Sequence, residues 1–258
     1  MRQTQLPHEK PKLIGGIDEA GRGSVIGPLV VAGVVLPETK LDKLIALEVK
    51  DSKQLSPAKR NELFGKILKL TTKWEFAEIS PQSIDAAIKA EKSNLNKLEL
   101  QHMARICLSL APDTVYVDAL GPDAQVFETK LWEVIQLEGR RITKWALGRE
   151  YLHGESTVEK YNLQIIAENK ADETIPVVSA ASILAKVQRD QQIEKLKVKC
   201  GENFGSGYPS DPLTRTTLKK WISQGVLPAF VRKQWETIKE LQNKLSFSKT
   251  KPLNQWFK

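Results

Sequence analysis

The chain has 258 residues, of which 41% are hydrophobic and 27% charged, a composition typical of a soluble globular protein. No apolar run approaches the roughly 20 residues of a membrane-spanning helix, and the polar N-terminal segment lacks the apolar core of a secretion signal. The only cysteines, Cys107 and Cys200, exclude a disulfide framework and indicate reduced thiols in a cytoplasmic protein.

The net charge of +8 is placed unevenly along the chain. Residues 213–258 contain ten Lys and Arg against two acids, which accounts for the whole excess, whereas residues 1–212 are balanced. One interpretation is a solvated basic face on helices. The other is a surface that faces a polyanion and adds affinity for phosphates regardless of their sequence.

The N-terminal third of the chain predicts two strands and a helix. Residues 12–17 and 28–36 are apolar and are separated by a Gly-rich turn, so they predict a hairpin. Ser56 is a suitable N-cap and Pro57 a favourable first helical residue, so a helix is expected from there to about Leu70.

After this helix the alternation of elements continues along the chain. Residues 139–160 form a basic, weakly patterned segment, which we interpret either as a hairpin that touches nucleic acid or as a surface insertion. The order of elements predicts an α/β fold with a helical C-terminal region. Further predicted strands are residues 73–80, 114–117 and 162–168, and further predicted helices begin at residue 81 and span 94–110, 124–136, 176–200, 213–223 and 228–245.

Acidic side chains occur where several predicted strands end. Asp18 and Glu19 follow the first strand, Asp118 follows an apolar strand, and Asp172 lies between the last strand and the long helix. In a regular strand neighbouring side chains point to opposite faces, so Asp18 and Glu19 converge only if the strand stops there. Acids at the carboxyl ends of strands lie where α/β sheets keep their functional sites.

Four carboxylates from separate segments would repel one another unless divalent cations neutralised them. An all-oxygen set of ligands favours Mg²⁺ or Mn²⁺ over zinc. The alternative is a structural role for each acid, because an aspartate at a strand end commonly caps a turn. Asp172 and Glu173 would then stabilise the dipole of the following helix. The acids alone therefore leave both interpretations open.

Five sequence blocks stand out along the chain: residues 16–30 (GIDEAGRGSVIGPLV), 51–56 (DSKQLS), 116–118 (YVD), 170–186 (KADETIPVVSAASILAK) and 205–212 (GSGYPSDP). Together they resemble ribonuclease HII of the archaeal and eukaryotic-like branch, and they occur in the order typical of that family. The resemblance implies an RNase H-like α/β fold, with a mixed central sheet flanked by helices and a C-terminal helical cap. It implies a catalytic domain over residues 1–205, a basic helical region over 206–245 and a flexible tail over 246–258.

The resemblance also implies a metal-dependent endonuclease that hydrolyses the RNA strand of RNA/DNA hybrids. It would also cut at ribonucleotides embedded in duplex DNA, leaving 3′-hydroxyl and 5′-phosphate ends. The acidic site of the family falls on Asp18, Glu19, Asp118 and Asp172, which would hold two Mg²⁺ or Mn²⁺ ions. Asp18 would be shared between the two ions. We expect a monomer that has no membrane partner.

The turn Gly21-Arg22-Gly23 is the expected reader of the ribose, because a glycine loop lets the backbone approach a 2′-hydroxyl closely. A phosphate-binding NTPase loop is discounted, since the turn lacks a Gly-Lys-Ser/Thr ending and precedes a strand. Tyr208 matches the family tyrosine that packs on the sugar beside the ribonucleotide. Without the resemblance, Tyr208 would equally suit an aromatic plug beneath a turn.

Two lysines in the matching blocks, Lys53 and Lys186, are expected to contact phosphates or other parts of the substrate. The sequence departs from the family pattern in two places. Ser24 stands where a proline is common, which we expect to change the stiffness of the loop little. The third and fourth acids lie 54 positions apart, a longer spacing than in compact members, and residues 139–160 are the apparent addition.

The C-terminal tail resembles a motif that binds sliding clamps. Leu253 precedes Trp256 and Phe257 by three and four positions, so one helical turn would present an aliphatic and two aromatic plugs. Thr250 stands where the motif usually has Gln. The alternative is that the two aromatic rings fold back onto the body of the protein.

Two other functions compete with ribonuclease activity. A DNA integrase or junction resolvase would share an RNase H-like fold, but the Gly21-Arg22-Gly23 turn and Tyr208 argue against it, and cleavage of all-DNA substrates would favour it. A non-catalytic module that binds nucleic acid or a clamp would be expected to have lost one of the acids, and all four are present.

Overall fold

The computed structural model describes residues 10–49, 55–147 and 163–249. Its strands are β1 (Leu13–Ala20), β2 (Leu29–Pro37), β3 (Lys73–Ile79), β4 (Thr114–Asp118) and β5 (Gln164–Glu168). They form one mixed sheet in the order β3-β2-β1-β4-β5. β1 runs parallel to β4, and β4 runs parallel to β5. The predicted pairing of the first two strands and the α/β fold class are confirmed.

Helices flank the sheet and make up most of the C-terminal region. Several of them begin where the sequence predicted. Oγ of Ser56 accepts a hydrogen bond from N of Lys59, and Pro57 is the first helical residue. The helices are α1 (Leu41–Ile45), α2 (Pro57–Leu70), α3 (Pro81–Lys89), α4 (Leu95–Leu110), α5 (Ala124–Leu147), α6 (Ala171–Thr174), α7 (Pro176–Cys200), α8 (Pro212–Ser223) and α9 (Glu236–Lys249), with a 3₁₀ turn at Glu38–Lys40.

Two predicted helix boundaries are wrong. α5 continues to Leu147, so the part of the basic segment that the structure describes is helical and not a hairpin. The last helix starts at Glu236 and not at residue 228. Before it, Val231 forms an antiparallel bridge with Ile26, and N of Arg232 donates to the carbonyl oxygen of Val25. These long-range bonds occupy the backbone groups that a helix would need.

The described residues belong to two compact units. The first comprises the described residues within Met1–Asp18, Ala32–Phe76 and Leu100–Leu184, and the second comprises the described residues within Glu19–Val31, Ala77–Glu99 and Ala185–Lys258. The first unit contains β4, β5 and most of β1 and β2. None of the helices in the described part of the chain is long and apolar enough to cross a membrane.

The second unit has a core of its own. Phe204, Trp221 and Phe230 form an aromatic cluster with ring centroids 5.6 to 6.0 Å apart. Side chains of Val25 and Ile26, which follow the Gly21-Arg22-Gly23 turn, are buried in the same core as those of α8 and α9. The segment after the turn is therefore anchored by apolar packing as well as by hydrogen bonds.

Candidate active site

Two of the predicted acids are neighbours across parallel strands. The register of β1 and β4 sets Ile17 opposite Val117, so Asp18 and Asp118 are the next pair along the strands. Residues in register on parallel strands project from the same face of a sheet. Asp18 is 4% exposed and Asp118 is half-buried.

Asp172 reaches the same end of the first unit through the short helix α6. Oδ1 of Asp118 accepts a 2.8 Å hydrogen bond from N of Ala171, and Asp172 is the following residue, 3% exposed. Oγ of Ser179 in α7 donates to the carbonyl oxygen of Asp172 at 2.7 Å. A side chain on Gly16 would place Cβ 2.1 Å from the carbonyl oxygen of Val177, so the first turn of α7 packs directly on β1.

Glu19 is placed differently from these acids. β1 does not end at Asp18 but continues to Ala20, so the expected strand end is wrong. Within a regular strand the side chains of Asp18 and Glu19 project from opposite faces. Glu19 is half-buried and is the first residue of the second unit.

The carboxylate oxygens of these acids are the type of ligand atom that a hard cation takes. Their side chains are not gathered into one cluster in the described part of the chain. Among the described residues, no group of three or more His, Cys, Asp and Glu side chains is close enough to hold a metal ion. Oδ1 of Asp118, for example, is turned towards N of Ala171. The strand register and the carboxylate oxygens fit Mg²⁺ or Mn²⁺.

The backbone of the Gly21-Arg22-Gly23 turn is fixed by a buried arginine of the C-terminal region. Nη2 and Nη1 of Arg232 donate to the carbonyl oxygens of Gly21 and Arg22 at 2.7 and 2.8 Å, and Nε donates to that of Gly27 at 3.1 Å. N of Ser24 also donates to the carbonyl oxygen of Gly21. The turn is therefore held before any substrate arrives.

The side chain of Arg22 is directed to α4. Its Nε lies 3.1 Å from Oε2 of Glu99, and its Nη2 donates to Oδ1 of Asn96. Glu99 is 0% exposed, and burial raises the pKa of its carboxyl group to about 7 against the opposing attraction of Arg22. The side chain of Arg22 thus anchors the turn to α4.

Tyr208 and Lys186 lie together in the second unit. The guanidinium Cζ of Arg189 is 4.4 Å from the centroid of the Tyr208 ring, and Nζ of Lys186 is 5.8 Å from it. Nζ of Lys186 also lies 2.6 Å from Oδ1 of Asp190. Lys186 is therefore already in an ion pair, and contact with a phosphate would have to compete with Asp190.

Sequence reasoning missed the buried charged residues that contact the turn, Ser24 or Tyr208, namely Glu99, Arg189 and Arg232. Arg189 and Arg232 are 1% and 0% exposed, although arginine is rarely buried unless it is paired. Arg232 belongs to the basic excess that was interpreted as a solvated or phosphate-facing surface, so at least this cation serves neither role directly. Only its position, just after an apolar run Val226–Val231 interrupted by Pro228, hinted at burial.

Four predicted site residues lie outside the described part of the chain: Lys53, Leu253, Trp256 and Phe257. The same holds for residues 148–160 of the basic segment.

Comparison with known proteins identifies the family. The family model described as Ribonuclease HII matches residues 15–238. The ribonuclease HII of Thermococcus sibiricus is 44% identical over 239 residues, which cover 92% of this chain and 94% of that protein. The ribonuclease HII of Pyrococcus furiosus is 41% identical over 249 residues, which cover 95% of this chain and 98% of that protein.

Solved structures agree with the sequence comparison. Ribonuclease H2 from Pyrococcus horikoshii OT3 matches with a TM-score of 0.72 and 37% identity, covering 91% of this chain and 99% of that one. The PCNA:RNase HII complex from Archaeoglobus fulgidus matches with a TM-score of 0.73 and 40% identity, covering 89% of this chain and 96% of that one. The predicted RNase H-like fold is therefore confirmed. This chain belongs to the ribonuclease HII family, metal-dependent endoribonucleases that act on the RNA strand of RNA/DNA hybrids.

Proposed function

We propose that this ribonuclease also cuts at single ribonucleotides embedded in duplex DNA and that hydrolysis leaves 3′-hydroxyl and 5′-phosphate ends. The observation that carries the proposal is the parallel register of β1 and β4, which sets Asp18 beside Asp118. The hydrogen bond from N of Ala171 to Asp118 supports a place for Asp172 in the same site.

Asp18, Glu19, Asp118 and Asp172 are the residues that would hold two Mg²⁺ or Mn²⁺ ions. Such a pair of ions, when bound, activates water and stabilises charge on the phosphate oxygens. Asp18 and Asp172 are both almost fully buried, and their carboxylate oxygens are the type of ligand that a hard cation such as Mg²⁺ or Mn²⁺ takes.

The selection of a ribonucleotide is assigned to the Gly21-Arg22-Gly23 turn and to Tyr208. A 2′-hydroxyl both donates and accepts hydrogen bonds, whereas deoxyribose has only a hydrogen atom at the same position. Backbone groups that are held in one orientation can therefore distinguish the two sugars. Arg232 supplies that fixed orientation through the carbonyl oxygens of Gly21 and Arg22. The aromatic ring of Tyr208 offers an apolar surface on which a sugar packs. Lys53 and Lys186 are proposed to contact the substrate in addition.

The test compares cleavage of an all-DNA duplex with cleavage of the same duplex carrying one ribonucleotide, each with Mg²⁺ and with excess EDTA. We expect cleavage only of the ribonucleotide-containing duplex and only with Mg²⁺. Asp18→Asn should lower the rate by about a thousandfold, as expected for a group that acts in the transition state. The matched control is Asp42→Asn at an exposed position of α1, which should cut at the wild-type rate.

Two outcomes would contradict the proposal. Wild-type cleavage by Asp18→Asn would show that this acid does not serve the metal site. Equal cleavage of the all-DNA duplex would show that no ribose is required and would favour the integrase or resolvase alternative.

We also propose that the tail recruits this enzyme to a sliding clamp. The supporting observation is that the ribonuclease HII of Archaeoglobus fulgidus, which is 40% identical over 89% of this chain, is found in complex with PCNA. Leu253, Trp256 and Phe257 follow the end of α9 at Lys249 by only a few residues. We further propose that the enzyme acts as a monomer in the cytoplasm.

A further inference from the structure

Arg189 in α7 connects two segments that are far apart in the sequence. Its Nη2 donates to Oγ of Ser24 at 2.8 Å and to the carbonyl oxygen of Ser206 at 2.6 Å. Its guanidinium lies over the ring of Tyr208, with Cζ 4.4 Å from the centroid. One side chain, 1% exposed, therefore contacts both the segment after the Gly21-Arg22-Gly23 turn and the segment that carries Tyr208.

The geometry of the guanidinium makes this link directional. The donors of a guanidinium lie in one plane, so the two bonds of Nη2 to Ser24 and Ser206 also fix the direction of its flat face. The ring of Tyr208 packs against that fixed guanidinium, and a cation–π contact of this kind is stronger where the cation is shielded from water. The orientation of the ring is thus tied to the hydrogen bonds of Arg189.

Ser24 completes the connection between the two segments. It is 0% exposed, and its Oγ lies 2.6 Å from the carbonyl oxygen of Ile26 and 2.9 Å from that of Gly207. The carbonyl oxygen of Gly207 also accepts from N of Val25 and N of Ile26. The proline common at position 24 in the family has no hydroxyl, so in this chain Ser24 gives Arg189 an acceptor that a proline side chain would not provide.

We propose that Arg189 is a positioning residue for recognition of a ribonucleotide whose neighbouring sugar is a deoxyribose. It holds Tyr208 and the end of the sugar-reading turn in one arrangement, and it does so without touching the substrate itself. The inference rests on the proposed function, in which Tyr208 and the turn recognise the sugar. If Arg189 were purely structural, it would stabilise the second unit, and its replacement would leave recognition of such a junction between ribonucleotide and deoxyribonucleotide unchanged.

The test measures kcat and KM for two substrates, a DNA duplex with one ribonucleotide and a continuous RNA/DNA hybrid. In Arg189→Lys the charge remains but the planar fork is lost. We expect kcat on the single-ribonucleotide duplex to fall roughly tenfold relative to kcat on the hybrid, the size of one partly desolvated cation–π contact. KM should change little, because contacts with phosphates dominate the binding of the duplex.

Three further variants define what this change means. Ser24→Ala removes one acceptor of Arg189. It should lower the ratio of kcat on the single-ribonucleotide duplex to kcat on the hybrid by roughly threefold, as expected for one hydrogen bond. Tyr208→Ala should lower the ratio at least as much as Arg189→Lys does. Arg105→Lys makes the same chemical change at an exposed position of α4, away from Ser24 and Tyr208, and should leave the ratio unchanged.

The double variant Arg189→Lys/Tyr208→Ala distinguishes the possible failures. If Arg189 acts through Tyr208, the double variant should be no worse than Tyr208→Ala alone. Additive effects, or an unchanged ratio in Arg189→Lys, would overturn the inference while leaving the role of Tyr208 in place. An unchanged ratio in Tyr208→Ala would instead overturn the proposed reading of the sugar. If Arg189→Lys does not fold, an unchanged ratio in Ser24→Ala decides against the inference.

Discussion

Nη2 of Arg232 donates a 2.7 Å hydrogen bond to the carbonyl oxygen of Gly21, and this single contact orients the peptide that leads into Arg22. None of the described peptide bonds is cis. The C=O and N–H of a trans peptide point in opposite directions, so N–H of Arg22 is directed away from Arg232. By the same geometry, the bond from Nη1 to the carbonyl oxygen of Arg22 directs N–H of Gly23 away from Arg232. A buried side chain thereby presents two backbone donors.

Arg232→Lys should separate this orienting role from charge. A lysine keeps a cation but cannot serve the three carbonyl oxygens that the guanidinium reaches. We expect the free energy of unfolding to fall by about 2–4 kcal/mol in urea denaturation. Arg140→Lys, at an exposed position of α5, should cost less than about 0.5 kcal/mol. A loss no larger than this control would contradict the role.

Gly21 and Gly23 should respond differently to alanine. Gly21 has a φ of +88°, and a Cβ there would lie 2.8 Å from the carbonyl oxygen of Pro28, so Gly21→Ala should destabilise the fold by about 1–3 kcal/mol. A Cβ on Gly23 meets nothing within 4 Å, so Gly23→Ala should leave the melting temperature unchanged.

Gly23→Ala therefore probes the approach of the sugar without disturbing the fold. If a ribose packs against this backbone, the added methyl group should lower kcat/KM for the single-ribonucleotide duplex by roughly tenfold or more. The measurement is steady-state cleavage beside a thermal melt of the same sample. Full activity in Gly23→Ala would place the sugar elsewhere.

Glu99 should make stability depend on pH in an unusual direction for an acid. Burial raises the pKa of its carboxyl group to about 7, whereas the ordinary value is 4.5. Between these values the unfolded chain has released a proton that the folded chain keeps, so stability falls as pH rises. This contribution is fully present below about pH 4.5 and is lost as pH passes through about 7.

Glu99→Gln removes this titration and keeps an acceptor for Arg22. The stability of the wild type relative to the variant should fall by an amount on the order of 1–3 kcal/mol between pH 4.5 and pH 7.5. Urea denaturation at several pH values measures the difference. Glu240→Gln, an exposed position in α9, should follow the wild-type curve. Parallel curves for wild type and Glu99→Gln would show that Glu99 titrates normally.

Removal of residues 250–258 should abolish binding to a sliding clamp without changing cleavage. α9 ends at Lys249, so this truncation spares every described helix. We expect Trp256→Ala and Phe257→Ala each to weaken clamp binding by roughly tenfold or more, as aromatic anchors do at interfaces. Asn254→Ala, between the apolar positions of the motif, is the matched control. Titration calorimetry with purified clamp would contradict the proposal if the truncated enzyme bound as tightly as the full chain.

The residues themselves determined where most elements start and stop. The pair Ser56 and Pro57 begins α2, and Gly201, at a φ of +68°, follows the last residue of α7. These signals are local, because a cap satisfies backbone groups within one turn of the helix. Adjacent acids at the end of an apolar strand were likewise visible in the sequence, and together with the matching blocks they indicated the family and the candidate metal ligands.

Tertiary structure alone decided which charged side chains are buried and what they hold. Residues 228–235 have helical spacing, yet their backbone bonds with Val25 and Ile26 and the burial of Arg232 prevent a helix. Arg189 likewise differs from a solvated helical arginine through its contacts with Ser24, Ser206 and Tyr208. These partners lie far away in the sequence, so no local pattern encodes them. Packing brings them together, and desolvation then makes each unmet hydrogen bond costly enough to fix the arrangement.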